Sequence, residues 1–169
     1  MPDIVVDTCV LSNFALAGAF GLLDGLYRGR VHITDFVSAE VTRGLQGGHK
    51  GLAAIPGALK AGWLKETALS SAEEKALFES LSRSLGLGEA SSLAVAKCRG
   101  YIFGSDDRVA RAEAGLIGVR LTGTLGILTR AVRTGRCGLA AADAYLARMI
   151  ENGFFSPVRS IREVVNGNP

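Results

Sequence analysis

Short β-branched runs alternate along this chain with longer stretches whose apolar residues recur at helical spacing. Ile4-Val5-Val6 comes first. Three consecutive β-branched residues, with no polar position among them, read as a strand buried on both faces, as in a parallel sheet. Val31-His32-Ile33-Thr34, Tyr101-Ile102-Phe103 and Gly118-Val119-Arg120-Leu121 read as further strands, and residues 63–67 suit a short edge strand. Phe154-Phe155-Ser156-Pro157 reads as a further edge strand or extended piece.

The intervening segments have a helical period. Residues 8–19 predict a helix capped by Thr8 or Ser12, and residues 20–27 predict a shorter one. Residues 36–45 follow Asp35 as N-cap, with Val37, Val41 and Leu45 as the inward stripe and Glu40 beside it. Residues 49–62 are loosely helical and interrupted by Pro56. Ser70-Ser71 with Glu73-Glu74 starts a helix that runs to about Leu85. Glu89 opens the next, which reaches Cys98 and aligns Glu89, Leu93 and Ala96 on one face. Helices follow at residues 108–114, after Thr124 (Leu125, Leu128 and Val132 inward) and at residues 139–151, with a final turn or helix at 158–165. This order calls for an α/β fold: one domain over residues 1–169, built as a three-layer α/β/α stack around a mostly parallel sheet.

Composition narrows the class. With 48% apolar and 21% charged residues, the chain buries a core and is not disordered. The net charge of +3 is too small to imply nucleic acid on its own. Cys9, Cys98 and Cys137 are odd in number and far apart, as in a reduced cytosolic protein, and read as small packing residues. No apolar stretch is long enough to span a bilayer, and the first residues lack a signal-peptide pattern, so a cytoplasmic location is expected.

Against this background four carboxylates stand out by position. Asp7 and Asp106 each end an apolar strand, and Glu40 and Glu89 each sit in an early helical turn on or beside the packing face. In a parallel sheet all four can converge on the carboxyl edge, where open α/β sheets bind ligands. Clustered carboxylates repel one another, and a divalent cation relieves that repulsion. Oxygen donors without neighbouring His or Cys favour Mg2+ or Mn2+, a chemistry suited to phosphodiester hydrolysis. Asp107, beside Asp106, is a weaker ligand candidate and equally a favourable charge at a helix N-terminus. Thr8 and Ser105 adjoin the strand-end aspartates and either orient a carboxylate or cap a helix, while Asn13 can reach the same edge from the first helix. Arg120, Arg130, Arg133 and Arg136, with Arg108 and Arg111, offer a phosphate-binding rim or an ordinary solvated face. His32 and His49 have no evident partner and read as structural or surface residues.

Ile4-Val5-Val6-Asp7-Thr8, Ser38-Ala39-Glu40-Val41, Gly86-Leu87-Gly88-Glu89-Ala90 and Gly104-Ser105-Asp106-Asp107-Arg108 together resemble the PIN-domain family of metal-dependent nucleases, over nearly the whole chain. The likeness is closest to compact VapC-like toxins of toxin–antitoxin pairs, and residues 122–128 resemble a stretch of one branch of that family. The resemblance implies endoribonuclease activity, an Mg2+ or Mn2+ site formed by Asp7, Glu40, Glu89 and Asp106 with Ser105 assisting, a homodimer, and an antitoxin partner. Residues 49–85 are longer and less regular than in the smallest toxins. Two other readings compete. A haloacid-dehalogenase-type phosphatase needs a second Asp two residues after the nucleophile, where this chain has Cys9. A non-catalytic RNA- or protein-binding module would keep the same acids without turnover.

Overall fold

The computed structural model describes residues 1–167. Its centre is a five-stranded parallel sheet: β1 (Ile4–Val6), β2 (Val31–Thr34), β3 (Leu64–Thr67), β4 (Ile102–Gly104) and β5 (Leu121–Thr122), in the order β3-β2-β1-β4-β5. The chain builds outward from β1 to β3, then returns to the other side of β1 for β4 and β5. That reversal makes the β1/β4 boundary a topological switch point, where a crevice opens beyond the carboxyl ends of the strands.

Helices cover both faces: α1 (Thr8–Leu16), α2 (Gly21–Tyr27), α3 (Asp35–Gln46), α4 (Ala54–Ala61), α5 (Ala72–Leu81), α6 (Leu87–Arg99), α7 (Arg108–Leu116), α8 (Thr124–Arg133), α9 (Leu139–Glu151) and α10 (Ile161–Asn166). The two-residue period of β1 splits the core. Ile4 and Val6 join Phe14, Leu128 and Met149 on one side, while Val5 joins Leu93, Phe103 and Ala110 on the other. This accounts for the uninterrupted apolar run, since neither face of β1 meets water.

Several local expectations change. Pro56 lies inside the first turn of α4, where its missing N–H has no intrahelical partner to lose, so it does not interrupt the helix. Thr34, not Asp35, caps α3: its hydroxyl accepts from the Val37 amide at 3.3 Å. Asp7, rather than Thr8 or Ser12, caps α1. The α8 core stripe is Ile127, Leu128 and Ala131, with Leu125 and Val132 only half-buried. Residues 154–157 form no strand, and Phe155 is 92% exposed. Cys9 and Cys98 are exposed, so packing is not what they do, whereas half-buried Cys137 packs against the main core as expected.

The middle of the chain has an anchor that its sequence only partly showed. Ser71 and Glu74 form the expected capping box at α5, and buried Glu74 also accepts from Arg99 Nε at 2.6 Å. Arg99, at the end of α6, reaches Thr67 Oγ1 (2.6 Å) and the Ala68 carbonyl (2.8 Å) as well. One guanidinium thus ties β3, α5 and α6 together. Among the described residues no single helix is long and apolar enough to cross a membrane.

Candidate active site

The register pairs Val6 with Gly104, so Asp7 and Ser105 leave neighbouring strands side by side. The Asp7 amide donates to the Gly104 carbonyl at 2.9 Å, continuing the ladder by one bond. The Asp7 side chain is fully buried, and Oδ1 accepts from the Val10 amide at 2.9 Å. Among the described residues Oδ2 has no hydrogen-bond partner. Cap and site therefore share one carboxylate: one oxygen starts α1 and the other is free inside the crevice. Burial pushes its pKa up to about 7; the Ser105 hydroxyl and Val10 amide oppose that rise, and the Asp106 and Glu89 charges add to it.

The other acids arrive from three directions. Glu40, in the second turn of α3, accepts from the Thr8 hydroxyl and from the Gly88 amide at 3.3 Å. A Cβ at Gly88 would stand 2.6 Å from Glu40 Oε2, so only glycine lets the two helices close on this carboxylate. Glu89 is half-buried in the first turn of α6. Its pKa is raised by burial and by the charges of Glu40 and Asp107, against the lowering effect of its own backbone amide. Asp106, after β4, is clasped by the start of α8: Oδ1 accepts the Thr124 amide at 2.9 Å, and Oδ2 accepts the Thr124 hydroxyl at 2.5 Å and Asn13 Nδ2 at 3.3 Å. Gly123 is required here too, since its Cβ would lie 2.5 Å from Asp106 Oδ1.

Asp107 takes its structural role. Its Oδ1 caps α7 through the Ala110 amide at 2.8 Å, and its own amide donates to Ser105 Oγ at 3.1 Å. Ser105 is fully buried between Asp7 and Asp107. It is placed to orient carboxylates and not to attack a substrate. Cys9, at the mouth of the crevice, has its thiol pushed up to about 12, by burial first and then by the charges of Asp7, Glu89, Asp106 and Asp107. It is no thiolate nucleophile.

Five acids, Asp7, Glu40, Glu89, Asp106 and Asp107, thus come from the ends of β1 and β4 and from α3 and α6; Asp7 feels the charges of Asp106 and Glu89, and Glu89 those of Glu40 and Asp107. Most of their oxygens are already bonded to protein donors. Among the described residues no three Asp, Glu, His or Cys side chains form a ready-made ligand cluster. The donor chemistry still fits a hard divalent cation: every candidate atom is a carboxylate oxygen, and the buried, unpartnered Asp7 Oδ2 requires a counter-charge or a proton. Asp7, Asp106, Glu89 and Glu40 are the residues that would hold it, and Asp107 has one oxygen left to join them.

The arginines do not gather into one rim at the carboxyl edge, which leaves the other of the two readings. Arg111 stays at the carboxyl edge, but its Nη1 is spent on the Ser105 (2.8 Å) and Thr122 (3.2 Å) carbonyls, which fixes the ends of β4 and β5. Arg108 is exposed at the start of α7. Arg120 precedes β5 and donates to the Gly100 carbonyl at 3.1 Å, at the amino end of the sheet. α8 leaves the acids at Thr124 and carries Arg130 and Arg133 in its last turn, away from them. In place of a basic rim the crevice has an aromatic lip. Phe154 and Phe155 line two adjoining cavities of about 270 and 390 Å3, both walled by Asp106.

Sequence reasoning missed Thr124 as the partner of Asp106 and the Thr34–Ser91 hydroxyl pair (2.7 Å) that locks α6 to the end of β2. Gly123-Thr124 was the available signal: glycine where a carboxylate comes close, then a hydroxyl at the first residue of a helix.

A family model described as a PIN domain matches residues 3–167. Among solved structures, PAE2754 from Pyrobaculum aerophilum superposes with a TM-score of 0.52 at 20% identity, over 80% of this chain and 98% of that one. At that identity the likeness is one of fold. A comparison with curated protein sequences gave no match.

Proposed function

The chain belongs to the PIN-domain family, and from that premise we propose that it is a metal-dependent endoribonuclease, cutting RNA phosphodiester bonds at the carboxyl edge of its sheet. The family is typically one of nucleases, which supports a hydrolase. The observation that carries the reading is Asp7: a fully buried carboxylate at the switch point, with one oxygen unpartnered among the described residues and the charges of Asp106 and Glu89 acting on it.

A bound Mg2+ or Mn2+ would supply an activated water and charge stabilisation at the scissile phosphate. The chain's own residues do the rest. Asp7 and Asp106 follow the adjacent strands β1 and β4, and Glu40 and Glu89 approach from α3 and α6. Thr124, Asn13 and Ser105 keep the carboxylates aimed. Phe155, exposed at the lip, offers a stacking face to an unpaired base. The carboxylates repel RNA unless a cation is present, so metal and substrate binding are coupled, while Arg111 walls the same cavity as Asp106.

We extend the reading to a VapC-like toxin that works as a homodimer in the cytoplasm, restrained by an antitoxin that covers this crevice. Its support is the motif resemblance, and co-purification with the product of the adjacent reading frame tests it. A second reading has an observation of its own: most carboxylate oxygens already have protein donors, as expected of a PIN-like module that binds RNA or a partner protein without cutting. One experiment separates the two. Purified protein is incubated with structured and unstructured RNA in Mg2+, Mn2+ or EDTA, beside Asp7→Asn. Metal-dependent cleavage lost in the variant supports the nuclease; RNA binding without turnover in any metal supports the module.

A further inference from the structure

A pocket of about 560 Å3 lies beside edge strand β5, toward the amino end of the sheet, between α8 and α10. Tyr27, Ile102 and Leu121 give it an apolar wall, and Arg120, Arg130 and Arg133 give it three positive charges. On α8, Gly126, Thr129, Arg130 and Arg133 recur at i, i+3, i+4 and i+7, so one stripe of that helix faces the pocket. Glycine at the first of these positions keeps the stripe close to β5, since a Cβ there would stand 2.6 Å from Thr122 Oγ1.

Two polar groups in the wall lack a partner. Thr129 is 7% exposed, and among the described residues its Oγ1 and the buried Nε of Arg130 make no hydrogen bond. Unpaired buried donors destabilise a fold unless a ligand or water satisfies them. Among the described residues the pocket's arginines also form no ion pair. Arg130 lies 5.7 Å from the centre of the Tyr27 ring and donates to Met1 Sδ at 2.9 Å, and Arg120 bonds only a carbonyl. The ion pairs among the described residues are elsewhere, joining Asp3 to Arg30 and His32, and Glu74 to Arg99.

We propose that this pocket binds an organic phosphate, a phosphate ester carrying a body of nucleoside size, at a site separate from the carboxylate crevice. Guanidinium forks match phosphate oxygens, and the unpaired hydroxyl and Nε–H supply two more donors to them. The apolar wall takes the body, and the volume falls within the range of about 300–1,000 Å3 typical of small-ligand sites. With three arginines and, among the described residues, no carboxylate in its wall, the pocket selects against cations. Two sources share this chemistry: a free mononucleotide and the phosphorylated end of an RNA strand.

The test uses the full chain in EDTA, so that cation bridging at the acids contributes nothing. Adenosine monophosphate, adenosine and a short oligoribonucleotide with or without a 5′-phosphate are titrated calorimetrically. The phosphate should improve binding of the nucleoside by about tenfold or more, and Arg133→Ala, an exposed change, should cost about tenfold. Thr129→Val, close in shape, should weaken binding several-fold with a Tm equal to or above wild type. Asp7→Asn should bind like wild type, so the result does not depend on the nuclease reading. Competition by the 5′-phosphorylated oligonucleotide alone assigns the site to RNA ends; its failure to compete assigns it to free nucleotides. Equal affinity for nucleoside and nucleotide, no binding of either phosphate source, or unchanged affinity in both variants overturns the proposal.

Discussion

Thr124 donates its amide and its hydroxyl to the two oxygens of Asp106, at 2.9 and 2.5 Å. The first residue of α8 thereby holds a carboxylate that ends β4, and Asn13 from α1 shares the grip at 3.1 Å to the Thr124 hydroxyl. Three elements fix one candidate ligand. Thr124→Val keeps the backbone bond and removes the hydroxyl. Second-shell losses of this kind cost about 10–100-fold in metal affinity or activity. Mn2+ titration and single-turnover cleavage should both show it, with Thr124→Ser restoring most of the loss.

Asp7→Asn separates chemistry from stability. Asn keeps an oxygen for the Val10 amide and so keeps the α1 cap, while it removes a buried charge set among other acids. Thermal unfolding should show a Tm equal to or above wild type, together with loss of cleavage. Asp7→Ala forfeits the cap and should lose about 1 kcal/mol. An Asn variant that unfolds earlier than wild type would contradict the idea that the charge is held here at a cost.

Gly88→Ala puts a methyl 2.6 Å from Glu40 Oε2. The backbone φ is ordinary, so the helix survives, and Ala is the better helix former. The carboxylate must swing aside. We expect a Tm within about 2 °C of wild type and a several-fold weaker Mn2+ affinity, read by calorimetry.

Phe155→Ala tests the aromatic lip. Removing a side chain that is 92% exposed should leave the fold unchanged. Base stacking on an aromatic ring is worth about 1–3 kcal/mol, so affinity for unstructured RNA should fall by roughly five- to hundred-fold, with less effect on duplex RNA. Fluorescence anisotropy on an Asp7→Asn background measures this without cleavage.

The Arg99–Glu74 pair predicts an acid limb of stability. The Arg99 guanidinium holds the Glu74 carboxyl down at about 2, below its ordinary value of 4.5. A depressed folded pKa stabilises above the unfolded value, and that stability is lost as pH falls from about 4.5 toward 2. Chemical denaturation across that window should show wild type weakening steadily. Arg99→Ala should cost about 2–3 kcal/mol at neutral pH, because it leaves a buried carboxylate without its partner, and should flatten the acid limb.

Much of the fold was readable because its signals are local. The β-branched run of β1 has no polar position, which only a doubly covered strand tolerates. Glu40 and Glu89 stood out as candidates because each shares a turn with packing residues. Pro56 misled because its effect depends on where the helix begins, a boundary set by the packing of Ile55 and Ala58 and not by the proline. The arginines misled because a stretch of like charge has no address: α8 starts at the acids and ends far from them.

By itself the sequence determined the inventory: which strands are buried, which acids follow them, and that the donors are all oxygen. Only the tertiary structure decided how that inventory is used. The order β3-β2-β1-β4-β5 places β4 against β1 and so brings Asp106 beside Asp7, a long-range pairing that no local pattern encodes. The same packing decided that Asp7 Oδ1 caps a helix while Oδ2 stays free, because hydrogen-bond direction depends on where the neighbouring amides come to rest.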